Sequence, residues 1–367
     1  MHQGRGGLPL ARILHVNGIP SAVHEADPSP TSRPQGGMLD IHEHNGRPAL
    51  AAAGLTDGFR ALVLEGRQAS RALAPDGGVL LDEPDDGTGA RPGVQRGELR
   101  RLLLDSLPAG TVRWGHKVTG VRALGEGHHE VAFANGTRVE TGLLVGADGA
   151  WSRVRPLLSS AKPVYTGTSF IETYLHDADT RHPVAAKAVG GGAMYALAPG
   201  KGIQAHREAG GTLHTYVALQ KPMAWFEAID LADPGAVAGV VAREFGDWAG
   251  EPTALFTDGG TTPVLRPPHT LPADHRWDRV PGVTLLGDAA HLMIPSGEGA
   301  NLAMFDAAEL GKALAAHPGD TETALAAYER DLFPRSAEEA HEADHLHELM
   351  SGPDSPHGLL NLIAPRR

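Results

Sequence analysis

The 367-residue sequence contains no cysteine, which excludes a disulfide framework, a thiolate nucleophile and any cysteine-ligated metal or iron–sulfur centre. Basic residues are in the minority. Thirty-two Lys and Arg against 44 Asp and Glu leave a formal net charge of −12, whereas binding to nucleic acid or to anionic lipid needs a basic field. A small-molecule ligand is expected, with no nucleic-acid partner and no membrane partner. No run of about 18 apolar residues occurs, and no apolar segment of signal-peptide type precedes the sequon-like Asn135-Gly136-Thr137, so a cytoplasmic protein is expected. With 41% hydrophobic and 21% charged residues the chain reads as globular, one large or two medium domains, and a monomer.

What is present concentrates in Leu285 to Leu310, LLGDAAHLMIPSGEGANLAMFDAAEL. Val283, Leu285 and Leu286 supply a buried strand end, and Gly287 permits a sharp turn with the Asp288 carboxylate at its tip, where it can accept hydrogen bonds from a polyol. Gly297, Gly299 and Ala300 leave the N-terminus of the next helix bare, and its unpaired N–H groups and dipole favour an electron-rich ligand. On its own, Gly287-Asp288 is equally an ordinary strand-to-helix turn.

Near the N-terminus, Leu10, Ile13 and Leu14 form a helical stripe ending at Asn17-Gly18, which places a helix over residues 8 to 16. Ile19 to Glu25 then alternates into a strand. Helix, strand and acid make the second half of a dinucleotide-binding βαβ unit in which Glu25 would receive ribose hydroxyls. In the glycine frame of that unit Gly4 and Gly7 stand second and third, while His2 occupies the first position. The first, central strand is missing from this frame, which is expected to cost hydrogen bonds on both sides.

The whole string Gly287 to His291, Pro295, Gly297, Gly299, Asn301, Asp306-Ala307 resembles the GD motif of class A flavoprotein monooxygenases, the p-hydroxybenzoate hydroxylase-like family. Here Glu298 stands where many members carry Gln, and the loop between Pro and Gly is one residue shorter. The resemblance implies that Asp288 holds the ribityl chain of FAD and that the Gly297, Gly299, Ala300 and Asn301 backbone faces the flavin's pyrimidine edge. A second string, Gly146-Ala147-Asp148-Gly149 through Arg155, resembles the family's DG motif, which implies Asp148 by the FAD pyrophosphate. Two fingerprints in the right order, about 140 residues apart, carry the assignment where either alone would not.

Within that family the chain is most similar to the tetracycline-inactivating branch, through Arg33, Gly36-Gly37, Leu39-Asp40 and His42. That likeness implies that Arg33 contacts the nicotinamide cofactor and Asp40 the FAD, that Arg96 opens a helix near the ribityl, and that Glu172 faces substrate. Arg100 and Arg101 are left to solvent or salt bridges. Strands are expected over 111–124, 129–133 and 137–145 with Asn135-Gly136 as a hairpin turn, and further short strands over 190–199 and 212–220 beside a helix from Pro234 to Trp248.

The expected fold is α/β: a doubly wound, Rossmann-like FAD-binding domain (1–160 and 276–320) interleaved with a mostly antiparallel β substrate domain (161–275), then a C-terminal helical segment (321–367) broken near Pro334. FAD would staple the two domains. The implied activity is NADPH-consuming hydroxylation, through a flavin C4a-hydroperoxide formed with O2, of an aromatic or polycyclic polyketide-type substrate. Tetracycline is one such substrate and a small aromatic acid another. No catalytic side chain is required, because the flavin carries the chemistry. The incomplete glycine frame supports an alternative, a catalytically impaired or non-catalytic FAD-binding relative. A third reading comes from His341-Glu342-Ala343-Asp344-His345, an HExxH of zinc-peptidase form, against which stand the abundance of His and the lack of a Glu beyond Glu348 to serve as a third ligand.

Overall fold

The computed structural model describes residues 6–32, 36–64, 66, 68–85, 87, 92–258 and 261–363. These fall into two compact units. The first comprises the described residues of Met1–Val63, Val94–Val164 and His269–Glu342. Its opening helix, Gly7–Val16, buries Leu8, Leu10, Ile13 and Leu14 and ends as the sequence requires, with the Asn17 N–H on Ile13 O at 3.1 Å and Gly18 at φ +71°. A Cβ at Gly7 would meet Ala147 at 3.6 Å, an ordinary van der Waals contact, so that close packing does not by itself require the glycine.

Two parallel ladders follow, Val23–His24 beside Val112–Arg113 and Leu144–Gly146 beside Val283–Leu285. Val283, Thr284 and Leu285 are all buried, as in a parallel strand covered on both faces. Among the described residues no strand joins the two ladders, and Gly4 lies outside those residues. An antiparallel sheet of Val118–Gly125, His128–Phe133 and Arg138–Thr141 turns at Asn135-Gly136, with Gly136 at φ +84°. The Gly299–Ala316 helix is apolar nearly all round and is accordingly buried, packing Leu310 and Leu314 with Leu10, Leu14 and Leu285.

The second unit comprises the described residues of Leu64–Gly93, Tyr165–Pro268 and Ala343–Arg367. Its seven-stranded sheet runs in the order Val264–Arg266, Thr168–Leu175, Leu213–Gln220, Lys201–Arg207, Ala193–Ala198, Ser70–Leu73, Val79–Glu83. Only the Ala193–Ala198 and Ser70–Leu73 pair is parallel. Ile171, Val217, Ile203 and Met194 belong to the buried core of this unit, with Phe245, the C-cap of the Pro234–Glu244 helix, and Leu255 of the Gly250–Thr257 helix. The period of two places Glu172, Tyr174, His214 and His206 on the opposite face. The sheet's last two strands come from residues 64–93, which the sequence assigned to the FAD domain.

The expected break near Pro334 does not occur. Thr321–Ser351 is one helix with Pro334 inside it. Buried Ala324, Leu325, Tyr328 and Leu332 anchor the preceding turns in the core, and that packing outweighs the lost backbone hydrogen bond. Replacing Pro334 with Ala should therefore restore a donor in unchanged backbone and stabilise the chain by about 1–3 kcal/mol, read as a higher midpoint in urea unfolding.

Candidate functional site: two loops tied by buried charge

The strand Val283–Leu285 feeds Gly287, whose φ of +57° turns the chain. A Cβ at Gly287 would come within 2.9 Å of the Ala303 Cβ, so the loop lies tightly against the Gly299–Ala316 helix. Asp306 of that helix fixes the turn. Its carboxylate is fully buried and accepts from the Gly287 N–H at 2.9 Å, from Arg335 Nη2 at 2.9 Å and from His291 Nε2. Burial pushes the Asp306 carboxyl up, but His291 and Arg335 outweigh it and hold it below its ordinary value. His291 is held above the ordinary imidazole value, because Asp306 outweighs the opposing burial.

The second loop follows Leu144–Gly146. Asp148 accepts from the Ser152 hydroxyl and from the Arg153 N–H at 2.6 Å, which folds the loop back on itself around Gly149 at φ +80°. Arg155, only 3% exposed, then donates through Nε to Ala289 O at 2.8 Å and through Nη2 to Ala150 O at 2.8 Å and Asp288 O at 3.1 Å. One guanidinium thus ties both loops together. Burial draws its pKa down, against the Asp148 and Asp288 carboxylates that favour the charge.

The Asp288 side chain is the exception in this network. Its carboxylate accepts no hydrogen bond among the described residues, although a Cβ on Gly299 would lie 4.0 Å from its Oδ1. Gly297, at φ +94°, faces open space. Arg96 opens the Arg96–Asp105 helix, where the dipole disfavours a cation, and its buried Nε has no partner among the described residues. A free carboxylate beside a bare helix N-terminus suits a polyhydroxyl, electron-rich ligand such as FAD, and the orphaned Arg96 N–H is a further donor in the same unit.

Comparison with known proteins agrees with this geometry. Residues 274–341 match the family model described as FAD binding domain. The chain is 30% identical over 361 residues to monooxygenase penA of Penicillium thymicola, covering 85% of this chain and 83% of that protein. It is 29% identical to 3-amino-4-hydroxybenzoate 2-monooxygenase of Streptomyces cremeus, covering 96% and 87%. Klebsiella pneumoniae HpxO, solved with FAD and uric acid, has a TM-score of 0.77 at 25% identity over 98% of this chain and 89% of that one. The chain belongs to the class A FAD-dependent monooxygenases.

FAD is the cofactor of this family, and the remaining residues expected around it are found as follows. Glu25 stands just beyond the end of its strand, with one carboxylate oxygen on the Asp27 N–H at 3.1 Å. Asp40 ends the strand Met38–Asp40 and is exposed. Gly4 and Arg33 fall outside the described residues. The Asn301 side chain is fully buried, donating to Asp40 O at 2.8 Å and accepting from the His42 N–H at 3.1 Å, so only its backbone is left for a ligand. Glu298, the departure from the family's Gln, accepts from His42 Nδ1 at 2.5 Å and Asn45 Nδ2 at 2.9 Å. Burial raises its carboxyl, and those partners more than compensate, leaving it below its ordinary value.

Three residues that shape the loops escaped sequence reasoning in this unit. Arg155 was quoted only as part of a string, the Asp306 carboxylate only as a motif position, and Gly6 not at all, although a Cβ at Gly6 would meet Leu286 Cδ1 at 1.9 Å. In the second unit Glu172 is not the solvated edge residue its position suggests. It is 5% exposed and accepts from His214, Tyr174 and Arg266. The HExxH does not assemble a metal site, since His341 and His345 are both exposed and neither joins a potential ligand group among the described residues. Among the described residues no helix is long and apolar enough to cross a membrane.

The buried charge sets a pH dependence. The stability Asp306 contributes is full above the ordinary carboxylate pKa and lost as pH falls towards its depressed value, while that of His291 is full below the ordinary imidazole pKa and lost as pH rises through its raised value. Asp306→Asn should cost about 3–5 kcal/mol. Urea unfolding across pH should show that loss greatest between about pH 4 and 6.5 and smaller on either side.

Proposed function

We propose that this monooxygenase takes its electrons from NADPH and hydroxylates an aromatic ring, with FAD held at the Asp288 loop. The observation that carries the reading is the Asp288 carboxylate, which accepts no hydrogen bond among the described residues whereas Asp306, Asp148 and Glu298 are all engaged. Bound FAD supplies electron transfer from the nicotinamide to O2. Asp288 would accept from ribityl hydroxyls and Arg96 Nε would donate to the same region. The first-turn N–H groups of the 18-residue Gly299–Ala316 helix, with its dipole, would stabilise negative charge on a ligand at its N-terminus. Arg155 and Asp306 would act at one remove, by fixing the loop that presents Asp288.

For the substrate, the sheet face that bears Phe170, Tyr174 and Tyr216, with the buried His214 ring packed against the two tyrosines, offers rings for stacking against a planar molecule. A small aromatic acid is supported by the relative named for 3-amino-4-hydroxybenzoate. The Gly36-Gly37, Leu39-Asp40 and His42 segment supports a tetracycline-like polycycle as the second reading.

Asp288→Ala removes a charge-assisted hydrogen bond worth about 1.5–3 kcal/mol, so FAD should dissociate roughly 10- to 150-fold more readily. Equal FAD dissociation constants for the two proteins, by flavin fluorescence, would contradict the placement. Arg33→Ala should slow anaerobic flavin reduction by NADPH at unchanged FAD content, and the parent enzyme should couple NADPH oxidation to oxygenated product with 3-amino-4-hydroxybenzoate or tetracycline. Stoichiometric FAD with no NADPH oxidation on either compound would favour the non-catalytic relative.

A further inference from the structure

The second unit contains a side-chain cluster that flavin chemistry does not use. His206 and His214 face each other directly across the antiparallel hairpin of Lys201–Arg207 and Leu213–Gln220. Glu208 enters the intervening turn, its N–H on Thr212 O at 2.8 Å. Glu208 Oε1 lies 2.8 Å from His214 Nδ1 and 3.4 Å from His206 Nε2, and the three atoms all lie within 4.8 Å of one another. Ligands at about 2.0–2.1 Å from a tetrahedral zinc ion are spaced at roughly 3.3 Å, so the cluster needs only small adjustments to converge on one ion.

Three further observations point the same way. Among the described residues the buried His206 Nε2 atom has no hydrogen-bond partner of good geometry, Glu208 Oε1 lying 3.4 Å away, a shortfall that a metal ion would remove. His214, 1% exposed, places its other nitrogen, Nε2, on Glu172 at 2.6 Å, and Glu172 is itself held by the Tyr174 hydroxyl at 3.0 Å and Arg266 Nε at 2.7 Å. A histidine whose far nitrogen donates to an anchored carboxylate has its ring orientation fixed, with the near nitrogen directed at the metal position. Finally, the Glu208 carboxylate has no Lys or Arg beside it among the described residues and meets His206 and His214 instead, so a divalent cation would take the place that imidazole protons hold.

We propose that His206, Glu208 and His214 bind a divalent transition-metal ion of the zinc type, with Glu172 orienting His214. Imidazole and carboxylate donors without a thiolate suit such an ion. All three ligands lie on one hairpin, so the site is local and independent of the flavin loops, and three protein ligands leave a coordination position for water or another small molecule. Metal entry displaces a proton from His214 Nδ1, since only the deprotonated nitrogen can coordinate.

The test uses the full-length, FAD-loaded chain after chelator treatment, titrated with Co2+ and then with competing Zn2+. One saturable Co2+ per chain is expected, with the visible ligand-field bands of a low-symmetry site, proton release in calorimetry and a higher Tm on adding Zn2+. His206→Ala, at a partly exposed position, should weaken Co2+ binding more than about 100-fold while keeping its FAD, and Glu172→Gln should weaken it about 10- to 100-fold. His341→Ala, in the exposed HExxH helix, should change nothing. Failure of the parent chain to take up Co2+, equal affinity in His206→Ala, or loss of binding in His341→Ala would each overturn the assignment, and none of them touches FAD binding.

Discussion

The first unit depends on a buried carboxylate that has to be paid for in donors. Asp306 sits in the middle of an almost wholly apolar helix, where an isolated anion would cost several kcal/mol or simply take up a proton. It remains charged because three groups converge on it from different parts of the chain: the Gly287 backbone, His291 from the same loop and Arg335 from the long C-terminal helix. That convergence fixes where the loop turns. The position of Asp288, one residue further on, is therefore set by an interaction in which its own side chain takes no part.

Arg155 extends the same logic to the second fingerprint. Its guanidinium spends its hydrogen bonds on three backbone carbonyls, two from the first loop and one from the second, so it sets backbone geometry rather than binding an anion. Buried guanidinium contacts to carbonyls are directional, and a lysine would offer no such planar fork. The two motifs, far apart in sequence, become one constellation through this residue. Within it, Asp306, Asp148 and Arg155 are each held by several hydrogen bonds, whereas the Asp288 carboxylate and Arg96 Nε have no partner among the described residues and could be taken up by a cofactor.

Local signals were legible. The helix over Gly7–Val16, its Asn17-Gly18 end, the Asn135-Gly136 hairpin and the strand–loop–helix run through Asp288 all follow from periodicity and turn chemistry within a few residues. What was not legible required long-range partners. Residues 64–93 join the sheet only because Ser70–Leu73 pairs in parallel with Ala193–Ala198, a register that no local pattern encodes. Pro334 stays helical because of residues packed from elsewhere, and Asn301 loses its side chain to a segment about 260 residues away in sequence. Gly6 could have been found from the glycine density of the N-terminus, but the side chain packed against it, Leu286, is distant in sequence.

Glu172 is the clearest case of a residue whose type was suggestive and whose surroundings decide its role. Its Oε1 accepts from both Tyr174 and His214, and its Oε2 from Arg266. Burial favours the neutral acid, yet these partners prevail and hold the carboxyl at about 2. A carboxylate so saturated has little capacity left for a substrate. Its influence must pass through the groups it holds: the His214 ring, which stacks on Tyr174 at 4.1 Å and lies 4.5 Å from Tyr216, and the half-exposed Arg266. The sheet face accordingly presents rigid rings over an internally balanced layer of charge, and selection among planar ligands there would rest on the shape and stacking of those rings more than on the acid beneath them.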